Sequence, residues 1–316
     1  MAWVSVVAAV VSAGWLVGAA LQPAAPVVRE VAVTIDDLPA VSVLGQDLSR
    51  ARQTTRDLVA ALVRHRVPAI GFVNENKLED AGTVNPDRVA LLQQWLDAGL
   101  ELGNHSRSHR DLHVIPLAQF KADVLAGEKT TRPLLAAAGQ APRYFRHPFL
   151  HTGRSLAIRT DFEAFLAKHG YRVAPITLDN SDYIFAAAYD RAGGRGDAAE
   201  QRHIADQYIS YMDAVVTYYE SQSVALLGRP MRHTLLLHAN ALNADTFDRL
   251  AQRLAARGYR FIPLDRALED PAYGRKDDYV GPAGITWLHR WALTEGKKGS
   301  FFAGEPQVPA SLIPHR

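Results

Sequence analysis

The chain has 316 residues, of which 48% are hydrophobic and 22% are charged, a composition typical of a globular protein with enough apolar material for a core. Its 35 basic and 33 acidic side chains leave a formal net charge of +2, which gives no reason to expect nucleic acid as a partner. The sequence contains no cysteine, which excludes disulfides, thiol catalysis and thiolate metal ligands.

An uncharged, mainly apolar segment, residues 2–21, opens the chain and is followed by QPAAPVVRE. Its length and composition predict an export signal, although the positive charges that normally precede one are missing. A segment of about 20 apolar residues also suits a single membrane anchor, and a buried N-terminal helix is a third interpretation. We expect residues 1–28 to be a signal peptide or a membrane anchor. The mature chain would then start between Ala20 and Val28 and work outside the cytoplasm, in the periplasm, in the medium or facing outwards from a membrane.

Short apolar runs of β type then alternate with longer segments of helical period, which predicts repeated βα units around a mostly parallel sheet. The predicted strands are Val31–Ile35, Ala69–Val73, Leu100–Gly103, Arg143–Arg146, Tyr171–Leu178, Thr234–Leu237 and Tyr259–Leu264. The predicted helices are Ser49–His65, Pro86–Ala98, Leu117–Ala138, Ser155–His169, Asp197–Leu226 and Asp245–Arg257. Seven strands of this kind predict an α/β fold, an incomplete (β/α) barrel of parallel strands.

The remaining segments set the expected domain organisation. The run RAGGRGD at Arg191–Asp197 predicts a flexible loop, because glycines interrupt the helical pattern. After about Asp270 the chain is rich in Gly, Pro and Lys with weak periodicity. We therefore predict one catalytic domain over residues 29–270 and a C-terminal extension, residues 271–316, that packs on the outside of the barrel. We expect the chain to be a monomer.

Functional groups in parallel α/β folds gather where strands end, and the first two such places carry paired polar residues. Asp36 and Asp37 directly follow the first strand, and their side chains point different ways from an extended backbone. His105 and His109 follow the third strand at a spacing of four, close enough for both imidazoles to share one cation. Each pair is also found without function, as a turn or as polar loop residues. Two His and one Asp would leave positions open for water and substrate, as in catalytic zinc sites.

A third place follows the strand that ends at Arg146, in the segment YFRHPFLHTGR. An Arg beside two acidic residues can keep a carboxylate ionised and aimed, because its guanidinium donates paired hydrogen bonds. His147 and His151 are near in sequence, but their spacing does not require a ligand role, and we interpret both as local loop residues.

The fourth and fifth places supply a candidate acid or base. Asp179, Asp182 and Tyr183 follow a strand in ITLDNSDY, and the apolar run of HTLLLHANALN ends at His238. A histidine at the end of a buried strand is well placed for proton transfer, and a carboxylate from Asp179 or Asp182 could orient and charge it.

Taken in chain order, the segments TIDD, HSRSH, RHPF, DNSDY and LLLH closely resemble the signature of the polysaccharide deacetylases, the family 4 carbohydrate esterases. The motifs of that family read approximately T-F-D-D, H-[ST]-x-x-H, R-x-P-[YF], D-x-x-D-W and L-x-x-H. The match spans roughly residues 31–264. The resemblance implies a distorted, incomplete (β/α) barrel with one divalent metal ion, usually zinc, with cobalt or another divalent ion as alternatives.

The resemblance also implies roles for individual residues. Asp37, His105 and His109 match the metal ligands, Asp36 matches the general base that activates a water molecule, and Arg146 would orient Asp36. The mechanism it implies is attack of that water on an acyl carbonyl at the metal.

The resemblance assigns other residues to the leaving group, the oxyanion and the acyl pocket. His238 matches the general acid for the leaving amine, with Asp182 as its expected partner and Asp179 as the second candidate. The backbone N–H of Phe149 would help to bind the oxyanion. Tyr183 and Leu236 would line the acyl pocket.

These features predict a hydrolase acting on linear amides, which removes N-acetyl groups from an amino-sugar polysaccharide or oligosaccharide such as chitin or peptidoglycan. Removal of O-acetyl groups is an alternative, since the same metal site serves esters and amides. A carbohydrate-binding module without turnover is a further alternative. The chain departs from the family at Tyr183, where Trp is usual, at Ile35, where Phe is usual, and at Leu38–Pro39, where many members carry Gly. These departures leave the glycan open.

Overall fold

The structure is a computed structural model that describes residues 1, 3, 29–45 and 47–313. The predicted signal or anchor at residues 2–21 and the predicted start of the mature chain therefore lie outside the described residues, apart from residue 3. Among the described residues, no helix has both the length and the apolar character needed to cross a membrane.

In the part of the chain that the structure describes, seven parallel strands form the central sheet, which confirms the predicted fold class. Its order is β7-β6-β5-β2-β1-β8, and β9 also pairs with β1. The two short strands β3 and β4 form a separate antiparallel pair. The strands are β1 Arg29–Leu38, β2 Ile70–Val73, β3 Glu79–Asp80, β4 Thr83–Val84, β5 Glu101–Asn104, β6 Tyr144–Phe145, β7 Arg172–Val173, β8 His233–His238 and β9 Tyr259–Phe261.

Helices connect these strands, as expected for parallel pairing, which requires a crossover between neighbours. They are α1 Leu48–Arg64, α2 Pro86–Asp97, α3 Leu117–Ala126, α4 Thr131–Ala137, α5 Leu156–Lys168, α6 Asp182–Gly194, α7 Ala198–Leu227, α8 Ala241–Ala256, α9 Leu264–Ala267 and α10 Trp287–Thr294. Side chains cap several N-termini, including Asp47 at α1, Ser155 at α5 and Asn240 at α8.

The barrel is incomplete because its two edges meet at only one residue pair. The predicted strand Tyr171–Leu178 is wrong in length, since regular pairing stops after β7. Pro175 interrupts the ladder because it has no backbone N–H to donate. The chain then reaches Leu178, which forms an isolated parallel bridge with Leu235 of β8.

Strand β1 is buried on both faces, which explains its nearly continuous apolar run. Val31, Val33 and Ile35 belong to the large cluster packed under the helices, and Ala32 belongs to a smaller cluster on the opposite face. Thr34 is also buried, and its hydroxyl donates a hydrogen bond of 2.8 Å to the carbonyl of Leu235. Charged groups therefore occur only where the strand ends.

Two further predictions, for a helix and for a loop, are wrong. The predicted helix Leu117–Ala138 is two helices separated around Gly127, where a Cβ would lie 2.6 Å from backbone atoms of Ser106 and Arg107. The chain breaks there because it passes so close to the loop after β5. The predicted loop Arg191–Asp197 is helical as far as Gly194, since burial of Ala192 in the core outweighs the low helix propensity of glycine.

The segment after Asp270 contains helix α10, which its weak periodicity did not reveal. Trp287 and Trp291 of α10 are buried in the large core cluster, and the backbone N–H of Trp287 donates to the carbonyl of Ile176 at 2.9 Å. Tyr218 of α7 contacts His289 at 3.2 Å between the phenol oxygen and Nε2. The boundary at residue 270 between a catalytic domain and an extension stays a prediction.

Candidate active site

A cavity of about 670 Å³ opens at the carboxyl ends of β1, β5 and β8. Most predicted site residues lie on its wall, namely Asp36, Asp37, His105, His109, Phe149, Asp179, Tyr183, Leu236 and His238. Arg146 and Asp182 are fully buried, in contact with residues of this wall. The sheet brings these residues together because parallel strands end at one edge.

Asp37, His105 and His109 form a compact cluster whose potential ligand atoms lie within 4.8 Å of one another. Asp37 Oδ1 is 4.0 Å from His105 Nε2 and 3.8 Å from His109 Nε2. His105 Nδ1 lies 2.8 Å from the carbonyl oxygen of Arg146, to which it can only donate. That hydrogen bond fixes the tautomer and leaves the Nε2 lone pair free for a ligand role.

The protonation states of this cluster fit a divalent cation. Burial lowers the pKa of both His105 and His109, so the two imidazoles are neutral at pH 7. Burial would raise the pKa of Asp37, but nearby charges, above all that of Lys77, outweigh it and lower that pKa. Asp37 Oδ1 is buried and makes no hydrogen bond within the described residues. This oxygen faces the lone pairs of two neutral imidazoles, a donor set that suits zinc.

Lys77 is a site residue that the sequence analysis missed. Its Nζ lies 3.3 Å from Asp37 Oδ1 and donates a 3.0 Å hydrogen bond to the carbonyl of Asp37, which has a left-handed backbone with φ of 73°. A signal was present, because the polar segment NENK directly follows β2 and so lies at the same edge of the sheet.

Asp36 lies beside this cluster in a nearly dry position. Its Oδ2 is 3.7 Å from His105 Nε2 and 3.9 Å from Arg146 Nη1. Burial raises the pKa of Asp36 to about 6 against the opposing charge of Arg146. The carboxylate is thus ionised at neutral pH but more basic than an exposed aspartate, which suits a general base.

Arg146 acts on Asp36 through charge, and no hydrogen bond joins the two side chains. Its Nη2 donates 2.8 Å to the hydroxyl of Thr34, and its guanidinium carbon lies 4.9 Å from the ring centroid of Phe72. The sequence predicted paired hydrogen bonds from Arg146 to a carboxylate, and that prediction is wrong. Thr34 and Phe72 hold the guanidinium, and the carboxylate lies at ion-pair distance.

His238 and Asp182 form a hydrogen-bonded pair. Nδ1 of His238 lies 2.7 Å from Asp182 Oδ1, and the backbone N–H of His238 donates 2.8 Å to Oδ2 of the same carboxylate. Burial alone would lower the pKa of His238, but the Asp182 carboxylate outweighs it and raises the pKa to about 9. His238 is therefore protonated at neutral pH. Asn243 of α8, another residue missed from the sequence, also donates to Asp182 Oδ2, at 2.6 Å.

Asp179 does not form a hydrogen bond with His238, although the sequence left it open as a partner of that histidine. Its Oδ1 accepts the backbone N–H of Asn180 at 2.9 Å, and the structure records no hydrogen bond between Asp179 and His238. Burial raises the pKa of Asp179 to about 7. Of the two candidate carboxylates, Asp182 is the one that contacts the histidine.

Phe149 lies on a strained turn at the cavity mouth. Its φ is 56°, and its ring, 53% exposed, packs edge-on against His109 with centroids 4.5 Å apart. The Tyr183 ring lies across the cavity, 6.2 Å from the ring of His238, while Leu236 is buried in the wall. A left-handed backbone is unfavourable at a bulky residue. The surrounding contacts therefore hold this turn in place.

The two histidines interpreted as loop residues are buried or paired. His147 is fully buried at the wall of the cavity, where burial lowers its pKa to about 3. His151 is partly buried, and its Nδ1 lies 2.8 Å from Asp111 Oδ1. Both lie outside helices and strands, so their interpretation as loop residues is confirmed, although neither is freely exposed.

Sequence comparison relates part of this chain to polysaccharide deacetylases. Residues 25–174 match the sequence profile of the polysaccharide deacetylase family. A chitooligosaccharide deacetylase of Bradyrhizobium sp. (strain ANU 289) is 32% identical over 96 residues, which are 30% of this chain and 39% of the relative. The aligned region is thus less than half of the length of that curated relative.

Solved structures with the same fold include a mutant of BA3943, a CE4 family pseudoenzyme with restored enzymatic activity. It superposes with a TM-score of 0.51 at 18% identity, over 77% of this chain and 69% of the other. The polysaccharide deacetylase Bc1974 from Bacillus cereus superposes with a TM-score of 0.50 at 16% identity, over 74% and 91% of the two chains. At such identities the likeness shows a shared fold.

Proposed function

Because residues 25–174 match the polysaccharide deacetylase family, we propose that this chain is a zinc-dependent hydrolase that removes N-acetyl groups from an amino-sugar oligosaccharide or polysaccharide. The observation that carries the proposal is a pair of oppositely charged groups across one strand pair. Asp36 of β1 is in register with His238 of β8, and both face the cavity beside the metal-ligand cluster. At neutral pH the first is ionised and the second protonated. A base and an acid are thereby available together.

Different residues carry out the separate steps of the reaction. Asp37, His105 and His109 would hold a divalent ion, which supplies a Lewis acid that polarises the acyl carbonyl and acidifies a nearby water. Asp36 accepts the proton of the attacking water. The protonated His238 then donates its proton to the nitrogen of the leaving amine, which is a very poor leaving group without one.

Residues of the cavity wall stabilise the developing oxyanion and contact the acyl group. The backbone N–H of Phe149 donates to the oxyanion, where a preorganised donor is worth far more than in water. Leu236 and the Tyr183 ring supply apolar surface for the acetyl methyl group. A Tyr in place of the usual Trp gives a smaller aromatic wall, which supports a substrate preference different from that of other family members.

The volume around the site supports a substrate longer than one sugar. A second cavity of about 300 Å³ shares Asp179, Asn180 and Ser181 with the first, so the two lie next to each other. Its polar lining includes Glu305 and Gln307 from the C-terminal segment. Such groups can accept and donate hydrogen bonds to the hydroxyls of a neighbouring sugar.

Two alternatives use the same site. An O-acetyl polysaccharide esterase would need the same ion and base but depend less on His238, because an alkoxide departs more readily than an amine anion. A carbohydrate-binding module without turnover would retain the groove. The simultaneous presence of Asp36, His238 and three ligand positions argues against the last alternative.

Acetate release distinguishes these functions. We expect the zinc-loaded protein to release acetate from chitooligosaccharides or peptidoglycan, and the Asp36→Asn variant to serve as the matched inactive control. Release from acetylated xylan alone would establish the esterase. Stoichiometric zinc without release from any of the three substrates would identify a binding module.

We also propose that the chain is exported, on the basis of the apolar residues 2–21. N-terminal sequencing of protein from an expressing cell should give a start between Ala20 and Val28 in the soluble exported fraction. An intact N-terminus in the membrane fraction would establish an anchor, and an intact N-terminus in the cytosol would contradict export.

A further inference from the structure

We propose that Asp111, His113 and His151 form a second divalent-cation site, which shares no ligand with the cluster of Asp37, His105 and His109. The second cluster has the same donor set as the first, two imidazoles and one carboxylate. Its potential ligand atoms also lie within 4.8 Å of one another. Imidazole and carboxylate donors at this spacing suit a borderline cation such as Zn²⁺, Co²⁺ or Ni²⁺.

His113 is the residue whose environment points to a ligand. Its side chain is buried, with only 8% of the residue exposed, yet neither ring nitrogen makes a hydrogen bond of normal geometry within the described part of the chain. A buried polar group without a partner costs about 1–3 kcal/mol. Burial and the neighbouring His151 lower the pKa of His113, although Asp111 and the carbonyl of Pro282 act in the opposite direction. His113 is therefore a neutral imidazole, the form that can bind a metal.

Asp111 holds the other two members in place. Its Oδ1 lies 2.8 Å from Nδ1 of His151 and accepts the backbone N–H of His113 at 2.7 Å. A carboxylate therefore lies next to two imidazoles, with ligand atoms within reach of one cation.

Ion binding requires a small change in this cluster. The rings of His113 and His151 are stacked, with centroids 3.9 Å apart and planes at 7°. Parallel rings cannot both aim an in-plane lone pair at one ion, so one of them has to tilt. The ring of His113 is the one that no hydrogen bond restrains.

The position of the cluster links two loops that border the active site. His113 lies in the loop after His109, and His151 follows the turn that carries Phe149. The Phe149 ring stands between the two sites, 4.5 Å from the ring of His109 and 5.9 Å from that of His151. A cation at the second cluster would tie the turn of Phe149 to the loop that leaves the first cluster.

Metal counting on the full chain, purified without a histidine tag, tests this site. After chelator treatment and dialysis against zinc, we expect two zinc ions per wild-type chain and one in His113→Gln. Asp111→Asn, which keeps the size of the side chain and an oxygen that can accept the His113 N–H, should bind the second ion at least about tenfold more weakly. His203→Gln, at an exposed position on α7, is the control and should retain two. One zinc ion in the wild type, or two in His113→Gln, would overturn the proposal.

A variant of the first cluster separates this inference from the proposed function. His105→Ala should keep one zinc ion and should still gain thermal stability on zinc addition, since ligands that bind the folded state stabilise it. The double variant His105→Ala/His113→Gln should bind no zinc and gain nothing. Circular dichroism verifies folding of each variant. If the His105→Ala variant bound no zinc, His113 and its neighbours would hold no ion, whatever the result of the acetate-release assay.

Discussion

Asp182 receives two hydrogen bonds from His238, one from ring Nδ1 at 2.7 Å and one from the backbone N–H at 2.8 Å. The carboxylate itself is completely buried, and Asn243 donates a further hydrogen bond to it. A buried carboxylate with this many donors stays ionised, and its charge keeps His238 protonated above neutral pH. The protonated state of His238, the proposed acid, therefore depends on Asp182, which does not line the cavity.

Replacement of Asp182 should move the pH dependence of activity. His238 has a pKa raised to about 9, so it loses its proton, and the rate should fall, only at alkaline pH. Asp182→Asn removes the negative charge and should lower the pKa of His238, shifting the falling limb of kcat/KM by about 1–3 pH units to lower pH. The profile is measured on a chitooligosaccharide. Asp179→Asn, which removes a carboxylate without a hydrogen bond to His238, should shift it less. An unmoved limb in Asp182→Asn would show that His238 is not the acid.

Loss of His238 should depend on the leaving group. His238→Ala should reduce turnover of an N-acetyl amide by about 10²-fold or more, since the amine needs a proton to depart. It should reduce hydrolysis of an aryl acetate less, because a phenolate leaves unaided. Parallel kcat measurements on both substrates test this. Equal losses would indicate that His238 stabilises charge or structure, with Asp36 as both base and acid.

Asp36 should be needed for turnover and dispensable for metal binding. Asp36→Asn preserves shape but cannot accept a proton, so activity should fall by about 10²-fold or more while zinc is retained. In the wild type the rate should rise as Asp36 ionises, at a pH no higher than about 6, since a bound cation would lower this pKa further. Zinc content and acetate release are measured on the same sample. Loss of zinc in Asp36→Asn would make Asp36 a ligand instead.

The first cluster should bind its ion only with all three ligands. Chelation should abolish activity, and zinc or cobalt should restore it. His109→Ala and His105→Ala should each abolish binding at this cluster, because two remaining ligands form an incomplete shell. Activity after metal replacement, together with metal content, measures this. Full activity of either variant would refute the ligand assignment.

Lys77 should weaken metal binding at this same cluster. Its ammonium lies 3.3 Å from Asp37 Oδ1, so it competes with a divalent cation for that carboxylate. Lys77→Met removes the charge and keeps the length of the chain, and we expect zinc to bind about tenfold more tightly. Competition with a chromophoric chelator measures the affinity. Weaker binding in Lys77→Met would mean that its hydrogen bond to the Asp37 carbonyl, which holds the left-handed backbone there, matters more than its charge.

The local sequence was enough to predict the parallel sheet and most of the polar residues at its edge. Strand β1 illustrates why, since an apolar run that ends abruptly in Asp36 and Asp37 can only be a strand buried on both faces with its carboxyl end exposed to a cavity. Boundaries that depend on close approach could not be predicted in this way. The break at Gly127 reflects backbone atoms of Ser106 and Arg107, which no local pattern reveals.

The partners of these residues were decided only by the tertiary structure. The residues alone left Asp179 and Asp182 open as partners of His238, and the family resemblance favoured Asp182. The position of α6 against the end of β8 brings Asp182 into hydrogen-bond contact with His238. Lys77 likewise reaches Asp37, 40 residues earlier in the chain, because β1 and β2 are paired in the sheet. Burial and charge act through distances in space, so the pKa values on which the chemistry depends follow from packing, while the residue types that can titrate follow from the sequence.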